Sequence, residues 1–241
     1  MRALDLFCGA GGVSVGLQRA GLEVTGVDIA PQPHHRGGTF VQADALNYPL
    51  EGFDLIWASP PCQAHSRLRH LSKGKDYPNL IPATRARLIA SGTPYIIENV
   101  EGAPLGGNLT LLCGSMFGLQ TPDGRAEIRR HRVFETSFPV ALRPACQHGQ
   151  SARLLTVVGH TPVDNTYRSR RRRAMSVTGN PAQTNTIRNT VRETFSTDDA
   201  RAAMGIDWMP MKYLSQAIPP AYAEFLGREA MAFLAERKAI A

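Results

Sequence analysis

The sequence lacks the features that would place it in a membrane, in an oxidising compartment or among repeat proteins. It has no apolar run near the roughly 20 residues that a membrane helix needs, and no segment repeats. Its four cysteines lie far apart and form no CxxC pair. Residues 1–7 contain a base and then an acid instead of the unbroken apolar run of a signal peptide. We therefore expect a cytoplasmic protein that has no membrane partner and keeps its cysteines reduced.

The composition shows no strong bias either. Hydrophobic residues make up 43% of the 241 residues and charged residues 20%, which is ordinary for a folded, water-soluble chain. These figures exclude disordered and collagen-like proteins. A chain of this length can form one large core and still hold a modest inserted domain.

The positive charge is concentrated in one part of the chain. The formal net charge is +7, but residues 125–195 alone contain thirteen Arg, no Lys and four acids, a net charge of +9. The rest of the chain is close to neutral, at −2. This distribution predicts a surface that binds a polyanion, attached to a nearly neutral scaffold.

The first half of the chain alternates segments typical of strands with segments typical of helices. The predicted strands are residues 3–8, 22–29, 39–43, 53–58 and 95–100. The predicted helices are residues 13–20, 82–90, 198–204 and 220–239, and Ser196 or Thr197 could cap the third of them. The alternation predicts an α/β fold, with a mostly parallel sheet and helices on both of its faces.

The pattern changes from about residue 136 to residue 196, where short pieces rich in Pro, Gly, Asn and Thr surround four consecutive arginines at 170–173. We therefore predict three parts. Residues 1–135 form the larger domain, residues 136–196 form a small basic domain, and residues 197–241 return to the larger domain.

A glycine-rich turn follows the first predicted strand, in the sequence DLFCGAGG at residues 5–12. Glycines at a junction of strand and helix let a ligand approach the main chain closely. Two acids, Asp28 and Asp44, follow the second and third strands, where a carboxylate can accept hydrogen bonds from a ribose or meet an adenine amino group. The three sites together predict a ligand that contains a nucleoside, and they leave open whether it is NAD or S-adenosylmethionine.

A cysteine and a glutamate follow the next two strands of the predicted sheet. Cys62 comes directly after two prolines, which stiffen the backbone, and before a polar, basic loop. Glu98 ends an apolar strand, where partial burial would raise its pKa toward that of a useful proton donor. The pattern indicates a nucleophilic thiol with an acid nearby, although a carboxylate satisfied by a local backbone amide is an equally good explanation of Glu98.

These motifs resemble, in order and spacing, those of the cytosine-C5 DNA methyltransferase family in a short, phage-like or bacterial form. The resemblance rests on residues 5–12, on Pro-Cys-Gln at 61–63, on Glu-Asn-Val at 98–100 and on Arg-His-Arg at 130–132. It extends to residues 203–206 and 216–220, and it omits the basic segment. Methyltransferases that act on exocyclic amino groups carry an aromatic residue after Pro-Pro, where this chain has Cys62.

The resemblance implies a class I methyltransferase fold, which is Rossmann-like, with a small target-recognition domain at residues 136–196. It implies S-adenosyl-L-methionine as the methyl donor and no metal. Cys62 would add to C6 of cytosine and activate C5, and Glu98 would supply a proton at N3. Arg132 would hold the cytosine O2, with Arg130 as its neighbour. The product would be DNA methylated at cytosine C5.

The resemblance also implies which residues surround the donor. They are Asp5, Phe7, Gly9, Gly11, Gly12, Asp28, Ile29, Asp44, Ala45, Pro60, Gln216 and Ala217, with Phe7 stacked on the adenine. Three departures from the family pattern stand out: Ile128 replaces the usual Gln, Asp28 replaces the more usual Glu, and Ser-Gln-Ala at 215–217 replaces Gly-Asn-Ser. The last departure puts the contacts to the donor's methionine end in doubt.

Double-stranded DNA is the expected partner, because an enzyme of this kind has to flip its target base out of the duplex and hold the flanking strands. The predicted DNA contacts are Gln63, Arg67, Arg69, Arg168, Arg170, Arg171, Arg172, Arg173, Arg188 and Arg192. Most of these arginines are expected to contact phosphates, which position the protein without reading the sequence. We expect a monomer in the cytoplasm of a bacterial or phage-infected cell. A role in restriction–modification is compatible with the motifs, which do not identify a partner endonuclease.

Three other functions remain open at this stage. The same chemistry could act on RNA, since the thiol mechanism does not select the sugar. The chain could also be an inactive binding protein that keeps the fold, although the intact Cys62 and Glu98 argue against that. A nicotinamide oxidoreductase fits least, because the glycine spacing is not that of the dinucleotide fingerprint.

Overall fold

The structure is a computed structural model that describes residues 1–62, 65, 78–124, 126–141, 145–146, 153–157, 174–177 and 196–240. The strands are β1 (Arg2–Leu6), β2 (Glu23–Asp28), β3 (Thr39–Gln42), β4 (Leu55–Ala58), β5 (Tyr95–Asn99), β6 (Asn108–Leu112), β7 (Ala126–Ile128), β8 (Arg132–Thr136), β9 (Arg153–Val157) and β10 (Ala174–Val177). The helices are α1 (Gly12–Arg19), α2 (Ile81–Ser91), α3 (Thr197–Met204), α4 (Met211–Leu214) and α5 (Pro220–Ile240).

The predicted α/β fold is confirmed by a seven-stranded sheet in the order β3-β2-β1-β4-β5-β8-β6. The first five of these strands run parallel, whereas β8 runs antiparallel to both β5 and β6. Every predicted strand is present, shifted by no more than two residues at either end. The carboxyl ends of β1, β2, β4 and β5 therefore lie at one edge of the sheet, where the predicted site residues follow them.

Alternation along the central strands divides the core between the two faces of the sheet. Leu4, Ile56 and Ile97 belong to a buried cluster that includes Leu88 of α2. On the other face, the ring of Trp57 packs edge-on against Phe134, which packs edge-on against Tyr222 of α5. Because neighbouring residues of a strand point to opposite faces, α2 and α5 cover different faces.

The antiparallel strands β6 and β8 were not among the predicted strands. Strand β8 begins at Arg132, inside a motif that sequence analysis interpreted through its chemistry, and β6 is a short edge strand with Leu109 and Leu111 exposed. A short edge strand buries little apolar surface, so its sequence pattern is weak. The pairing of β8 with β5 is nevertheless decisive for the site, since it brings Arg132 next to the end of β5.

The chain divides into two compact units. The first unit contains Met1–Leu112, His131–Arg143 and Pro220–Ala241. The second unit contains Cys113–Arg130 and Pro144–Pro219, and within it β10, β9 and β7 form a parallel three-stranded sheet. The predicted boundaries at 135 and 196 differ from these limits, and the three-part functional division stays a prediction. None of the helices in the described part of the chain combines the length and the apolar composition of a membrane span.

The predicted N-cap of α3 is Ser196. Its hydroxyl accepts a hydrogen bond from the Asp199 amide at 3.0 Å, and the Asp199 carboxylate accepts one from the Ser196 amide at 2.8 Å. This reciprocal pair satisfies two amides that the helix itself leaves without partners.

A buried ion pair fastens β8 within the first unit. The Glu135 carboxylate accepts hydrogen bonds from Arg85 of α2, with Nη2···Oε2 at 2.6 Å and Nε···Oε1 at 2.9 Å. The amide of Gly106 and the hydroxyl of Tyr95 also donate to it, at 2.8 Å and 3.2 Å. Burial acts to raise the pKa of Glu135, but Arg85 and the other donors outweigh burial and lower it.

Replacing Glu135 with Gln should lower the free energy of unfolding by about 2 to 4 kcal/mol, because Arg85 would lose its charged partner at a largely buried position. Since the folded pKa of Glu135 lies below its unfolded value, its stabilisation is present above that unfolded value and is lost as the pH falls through the folded pKa. Urea titrations at neutral and acidic pH measure both effects. The control is Glu224→Gln in the more exposed pair Glu224–Arg228, where a change below about 1 kcal/mol is expected. Equal losses in the two variants would contradict the prediction.

Candidate active site

The glycine turn between β1 and α1 has the backbone geometry that its sequence suggests. Gly9 and Gly11 have φ values of +50° and +87°, which favour glycine. An ideal Cβ on Gly11 would lie 1.9 Å from the carbonyl oxygen of Arg36, whereas a Cβ on Gly9 would meet nothing within 4 Å. Neighbouring backbone therefore leaves no room for a side chain at Gly11, whereas the space beside Gly9 is open to a ligand.

Phe7 stands at the start of this turn and has a φ of +62°, the only positive value of a non-glycine residue among those described. This conformation costs of order 1 to 3 kcal/mol and persists where the surrounding structure enforces it, often at a functional site. Nearby in the fold, Ile29 follows β2 with 72% of its surface exposed. A half-buried ring and an exposed branched side chain at the same sheet edge are suited to contact a flat apolar group.

Two acids, Asp28 at the end of β2 and Asp44 just after β3, accept hydrogen bonds from neighbouring amides. Asp28 accepts from the amides of Gly9 and Ala30, each at 3.0 Å, and so ties the end of β2 to the glycine turn. Asp44 accepts from the Leu46 amide at 2.9 Å and from the Asn47 side chain at 2.6 Å. A carboxylate has about four acceptor positions, so both acids keep capacity for a ligand.

Asp5 differs from these two acids because its side chain is completely buried. Its Oδ2 accepts a hydrogen bond from the Ser14 hydroxyl at 2.6 Å, and its Oδ1 accepts none from any described residue. Burial raises the pKa of Asp5 to about 7, and the nearby Asp28 adds to the increase while Ser14 opposes it. Asp5 therefore supports the turn from beneath, and its assignment to the donor site stays a prediction.

The raised pKa predicts how stability changes with pH. The folded pKa of Asp5 lies above its unfolded value of 3.8. The contribution of Asp5 to the free energy of unfolding is therefore complete below that value and is lost as the pH rises to about 7. Asp5→Asn should remove this loss. Between pH 5 and pH 8, the free energy of unfolding of the variant should therefore rise by about 2 to 3 kcal/mol relative to that of the wild type. Urea unfolding at both pH values measures the gain, with the exposed Glu51→Gln as control. Parallel pH curves for Asp5→Asn and the wild type would contradict the prediction.

The loop after β4 presents Cys62 at the same sheet edge. The Trp57 indole donates to the Ser59 hydroxyl at 2.9 Å, and the buried Asn99 side chain donates to the Pro60 carbonyl at 3.0 Å. Cys62 itself is partly exposed, and its carbonyl accepts the His65 amide at 2.9 Å. Asn99 thus joins the end of β5 to the backbone that carries the thiol.

Cys8 and Cys113 are buried, whereas Cys62 is partly exposed. Burial raises the pKa of Cys8 far above its usual range, helped by Asp5 and Asp28, and it raises the pKa of Cys113 to about 11. A thiol acts as a nucleophile in its ionised form, so neither residue is suited to that role near neutral pH. Cys146 is exposed and lies in the second unit.

The geometry brings Glu98 and Arg132 together. Strands β5 and β8 pair antiparallel, and the Arg132 Nε lies 3.1 Å from the Glu98 Oε1. The Glu98 side chain is only 8% exposed and that of Arg132 17% exposed. A carboxyl group and a guanidinium side by side match two neighbouring polar atoms of a ligand, one of which carries or accepts a proton and the other of which accepts hydrogen bonds.

Other predicted site residues belong to the second unit or lie outside the described residues. Arg130, Gln216 and Ala217 are in the second unit, where the buried Arg130 Nη2 donates to the Ser215 carbonyl at 2.9 Å. Of the predicted DNA contacts, all fall outside the part of the chain that the structure describes: Gln63, Arg67, Arg69, Arg168, Arg170, Arg171, Arg172, Arg173, Arg188 and Arg192. Their roles stay predictions.

The sequence analysis did not assign a site role to Asn99, Ser14 or Arg87. Asn99 directly follows Glu98 in the chain, and this adjacency was the sequence signal that could have indicated a site role for it. Arg87 of α2 donates to the carbonyls of Ala45 and Tyr48, at 2.8 Å and 2.7 Å, and so holds the segment that follows Asp44. No sequence pattern marks such contacts, because they depend on how α2 packs on the sheet.

Comparison with known proteins supports the resemblance that the motifs suggested. Residues 1–104 match the sequence model of the family described as C-5 cytosine-specific DNA methylase. The predicted resemblance to this family is confirmed over that part of the chain, which is less than half of its length. The match contains the glycine turn, Cys62 and Glu98, and it ends before Arg130. A search of curated protein sequences gives no match.

Solved structures with the methyltransferase fold align over nearly the whole chain. A prophage-encoded protein of E. coli, described as a DNA modification methyltransferase, has a TM-score of 0.58 at 14% identity, covering 98% of this chain and 99% of its own. The Dnmt2 methyltransferase of S. pombe has a TM-score of 0.55 at 15% identity, with the same coverage. DNMT2 of Spodoptera frugiperda has a TM-score of 0.52 at 15% identity, covering 95% and 99%. At these identities the similarity confirms the predicted class I methyltransferase fold.

Proposed function

We propose that the protein transfers the methyl group of S-adenosyl-L-methionine to C5 of a cytosine in double-stranded DNA. The observation that carries this proposal is the contact of Glu98 with Arg132 at 3.1 Å, beside a loop that presents Cys62 and is tied to Asn99. In cytosine, N3 is bonded to C2, the ring atom that carries O2. A carboxyl group at N3 and a guanidinium at O2 have to lie side by side, as these two residues do.

The donor site is proposed at the edge of the sheet around the glycine turn. The open backbone at Gly9 leaves room for close approach, and the carboxylate of Asp28 keeps acceptor positions for ribose hydroxyls. Phe7 and the exposed Ile29 fit the two sides of an adenine. Beside them, the predicted adenine contacts are completed by Asp44 and the buried Ala45. When bound there, S-adenosylmethionine supplies an electrophilic methyl group.

The thiolate of Cys62 is proposed to attack C6 of the flipped cytosine, because C5 of the intact ring is a poor nucleophile. A bond forms between the sulfur and C6, and the electron pair of the C5–C6 double bond moves toward N3 and O2. Glu98 holds a proton at N3, and Arg132 stabilises the charge at O2. C5 then forms its new bond to the methyl carbon while the bond from that carbon to the donor sulfur breaks, which leaves S-adenosylhomocysteine. Loss of the C5 proton to solvent re-forms the C5–C6 double bond, breaks the bond from C6 to sulfur and releases the Cys62 thiolate.

Binding of DNA is proposed to rest on the basic part of the chain. Residues 125–195 contain thirteen Arg against four acids. Each phosphate that an arginine neutralises releases a counterion, so affinity should fall steeply as salt is added. The predicted DNA contacts named above belong to this proposal, as does Arg130 as the neighbour of the O2-binding arginine.

The test is methyl transfer from radiolabelled S-adenosylmethionine to a cytosine-containing duplex, to its single strands and to an RNA transcript of the same sequence. The proposal expects label in the duplex, and bisulfite sequencing of plasmid DNA from expressing cells should then locate the methylated cytosines. Label in the transcript alone would replace DNA with RNA as the substrate. Absence of label in every substrate, with folded protein that binds S-adenosylhomocysteine, would overturn the proposal.

A further inference from the structure

The connection between β2 and β3 is unusual for two parallel strands. It contains ten residues, 29–38, and no helix, whereas such crossovers usually contain a dozen or more residues and most often a helix. The loop therefore packs directly on the glycine turn and on the first turn of α1. An ideal Cβ on Gly37 would lie 2.3 Å from the Val15 amide nitrogen, and one on Gly11 would lie 1.9 Å from the Arg36 carbonyl.

His35 fills the space beneath this loop. Its ring packs against Phe40 with centroids 5.3 Å apart, and its Nε2 lies 3.3 Å from the Ser14 hydroxyl. A Cβ on Gly26 of β2 would come within 2.6 Å of the same Nε2. The imidazole therefore occupies the volume that a side chain on β2 would otherwise take.

The hydrogen bonds around Ser14 join three side chains. The Ser14 hydroxyl donates to the Oδ2 of Asp5 at 2.6 Å. The same hydroxyl lies 3.3 Å from the Nε2 of His35, and the tautomer of the ring sets which of the two groups donates. Three residues from β1, α1 and the loop thus form one chain of hydrogen bonds below the turn.

We propose that His35 is a positioning residue of the donor site, which holds the glycine turn in its binding conformation through Ser14 and Asp5. The inference rests on the proposed function in one respect, namely that this turn binds S-adenosylmethionine. His35 does not contact the donor in this scheme. It acts by fixing the loop that closes against Gly11, and thereby fixes the open backbone at Gly9.

Burial, and not nearby charge, favours the neutral form of the His35 ring. Burial lowers the pKa of His35, and Asp28 of β2 opposes this only in part. Two more titratable groups lie near the ring: the carboxyl of Asp5, which shares Ser14 with it, and the thiol of Cys8 in the turn. Burial raises the pKa of both groups. A neutral imidazole can donate to Ser14 from Nε2 in one tautomer and accept from it in the other, so the contact forms with either.

The experiment compares His35→Ala with the conservative His35→Gln and with His34→Ala, a control at the adjacent exposed histidine. Calorimetric titration with S-adenosylhomocysteine gives the dissociation constant, and methylation assays give KM for the donor and kcat. For His35→Ala we expect about five- to tenfold weaker binding and higher KM, the effect of one lost hydrogen bond, with kcat almost unchanged at saturating donor. His35→Gln should recover most of the affinity, and His34→Ala should match the wild type.

Amide hydrogen exchange of residues 9–14 in the donor-free protein separates this inference from the proposed function. Faster exchange in His35→Ala than in His34→Ala supports the positioning role, even if wild-type protein were to bind no S-adenosylhomocysteine and the proposed function failed. Unchanged exchange together with unchanged donor affinity would overturn the inference. If His35→Ala does not fold, Ser14→Ala decides, because it breaks the same chain of hydrogen bonds. Wild-type affinity and wild-type exchange in Ser14→Ala would overturn the inference equally.

Discussion

Replacing Cys62 with serine is expected to abolish methyl transfer while leaving the fold intact. The hydroxyl is a much weaker nucleophile near neutral pH than the thiolate, so the addition to C6 that activates C5 would not occur. We expect kcat/KM to fall at least about a thousandfold, which corresponds to about 4 kcal/mol of lost transition-state stabilisation. Because Cys62 is partly exposed and the two side chains are similar in size, the free energy of unfolding should change by less than about 1 kcal/mol.

The matched control for this experiment is Cys146→Ser, at an exposed cysteine of the second unit. It should keep full activity. Mass spectrometry of wild-type protein with a duplex containing a mechanism-trapping cytosine analogue should show a covalent adduct on Cys62 and none on Cys146. Activity of Cys62→Ser within tenfold of the wild type would rule out the thiol mechanism, whatever the substrate.

Glu98→Gln should give the second large loss of activity. The amide has nearly the volume of the carboxyl group but cannot hand a proton to N3, and general acid catalysis of this kind contributes about 10² to 10⁴-fold. We expect kcat to fall by about that range, with little change in donor affinity, because the change is confined to the cytosine side of the site. Measurement of kcat together with the dissociation constant of S-adenosylhomocysteine tests both expectations.

Glu101→Gln is the control for that variant. Glu101 lies three residues along the chain, its side chain is 42% exposed, and it faces His131 at 3.4 Å. Its replacement removes the same charge near the site without touching the pair of Glu98 and Arg132. If both variants lost activity to the same extent, the effect would be one of local charge, and the assignment of Glu98 as the proton donor would be wrong.

The sequence predicted those parts of the site that are continuous along the chain. The glycine turn, the Pro-Cys-Gln stretch around Cys62 and the strand that ends at Glu98 are each local patterns, and each lies where it was predicted, at the carboxyl edge of the sheet. Local patterns predict well because turns and strand ends depend mainly on nearby residues. The resemblance to the family rests on these same segments, since residues 1–104 carry the match.

The contacts between distant segments could not be predicted in this way. Sequence analysis placed Arg132 at the cytosine from a resemblance, but its contact with Glu98 follows from the antiparallel pairing of β8 with β5, which no periodic pattern revealed. The same holds for Asn99 at the end of β5, which donates to the carbonyl of Pro60 in the loop after β4. Register and packing select such partners, and both depend on the whole fold.

For this protein, residue types at short spacing were enough to predict the fold class, the order of the motifs and the resemblance to the family. Which side chains contact one another around these motifs depended on the tertiary fold. It buried Asp5 beneath the turn and joined it to Ser14, with His35 completing the chain of hydrogen bonds. The physical reason is that a hydrogen bond or an ion pair requires atoms within about 3 Å. Packing of the helices and loops on the sheet brings residues that are far apart in sequence to that distance.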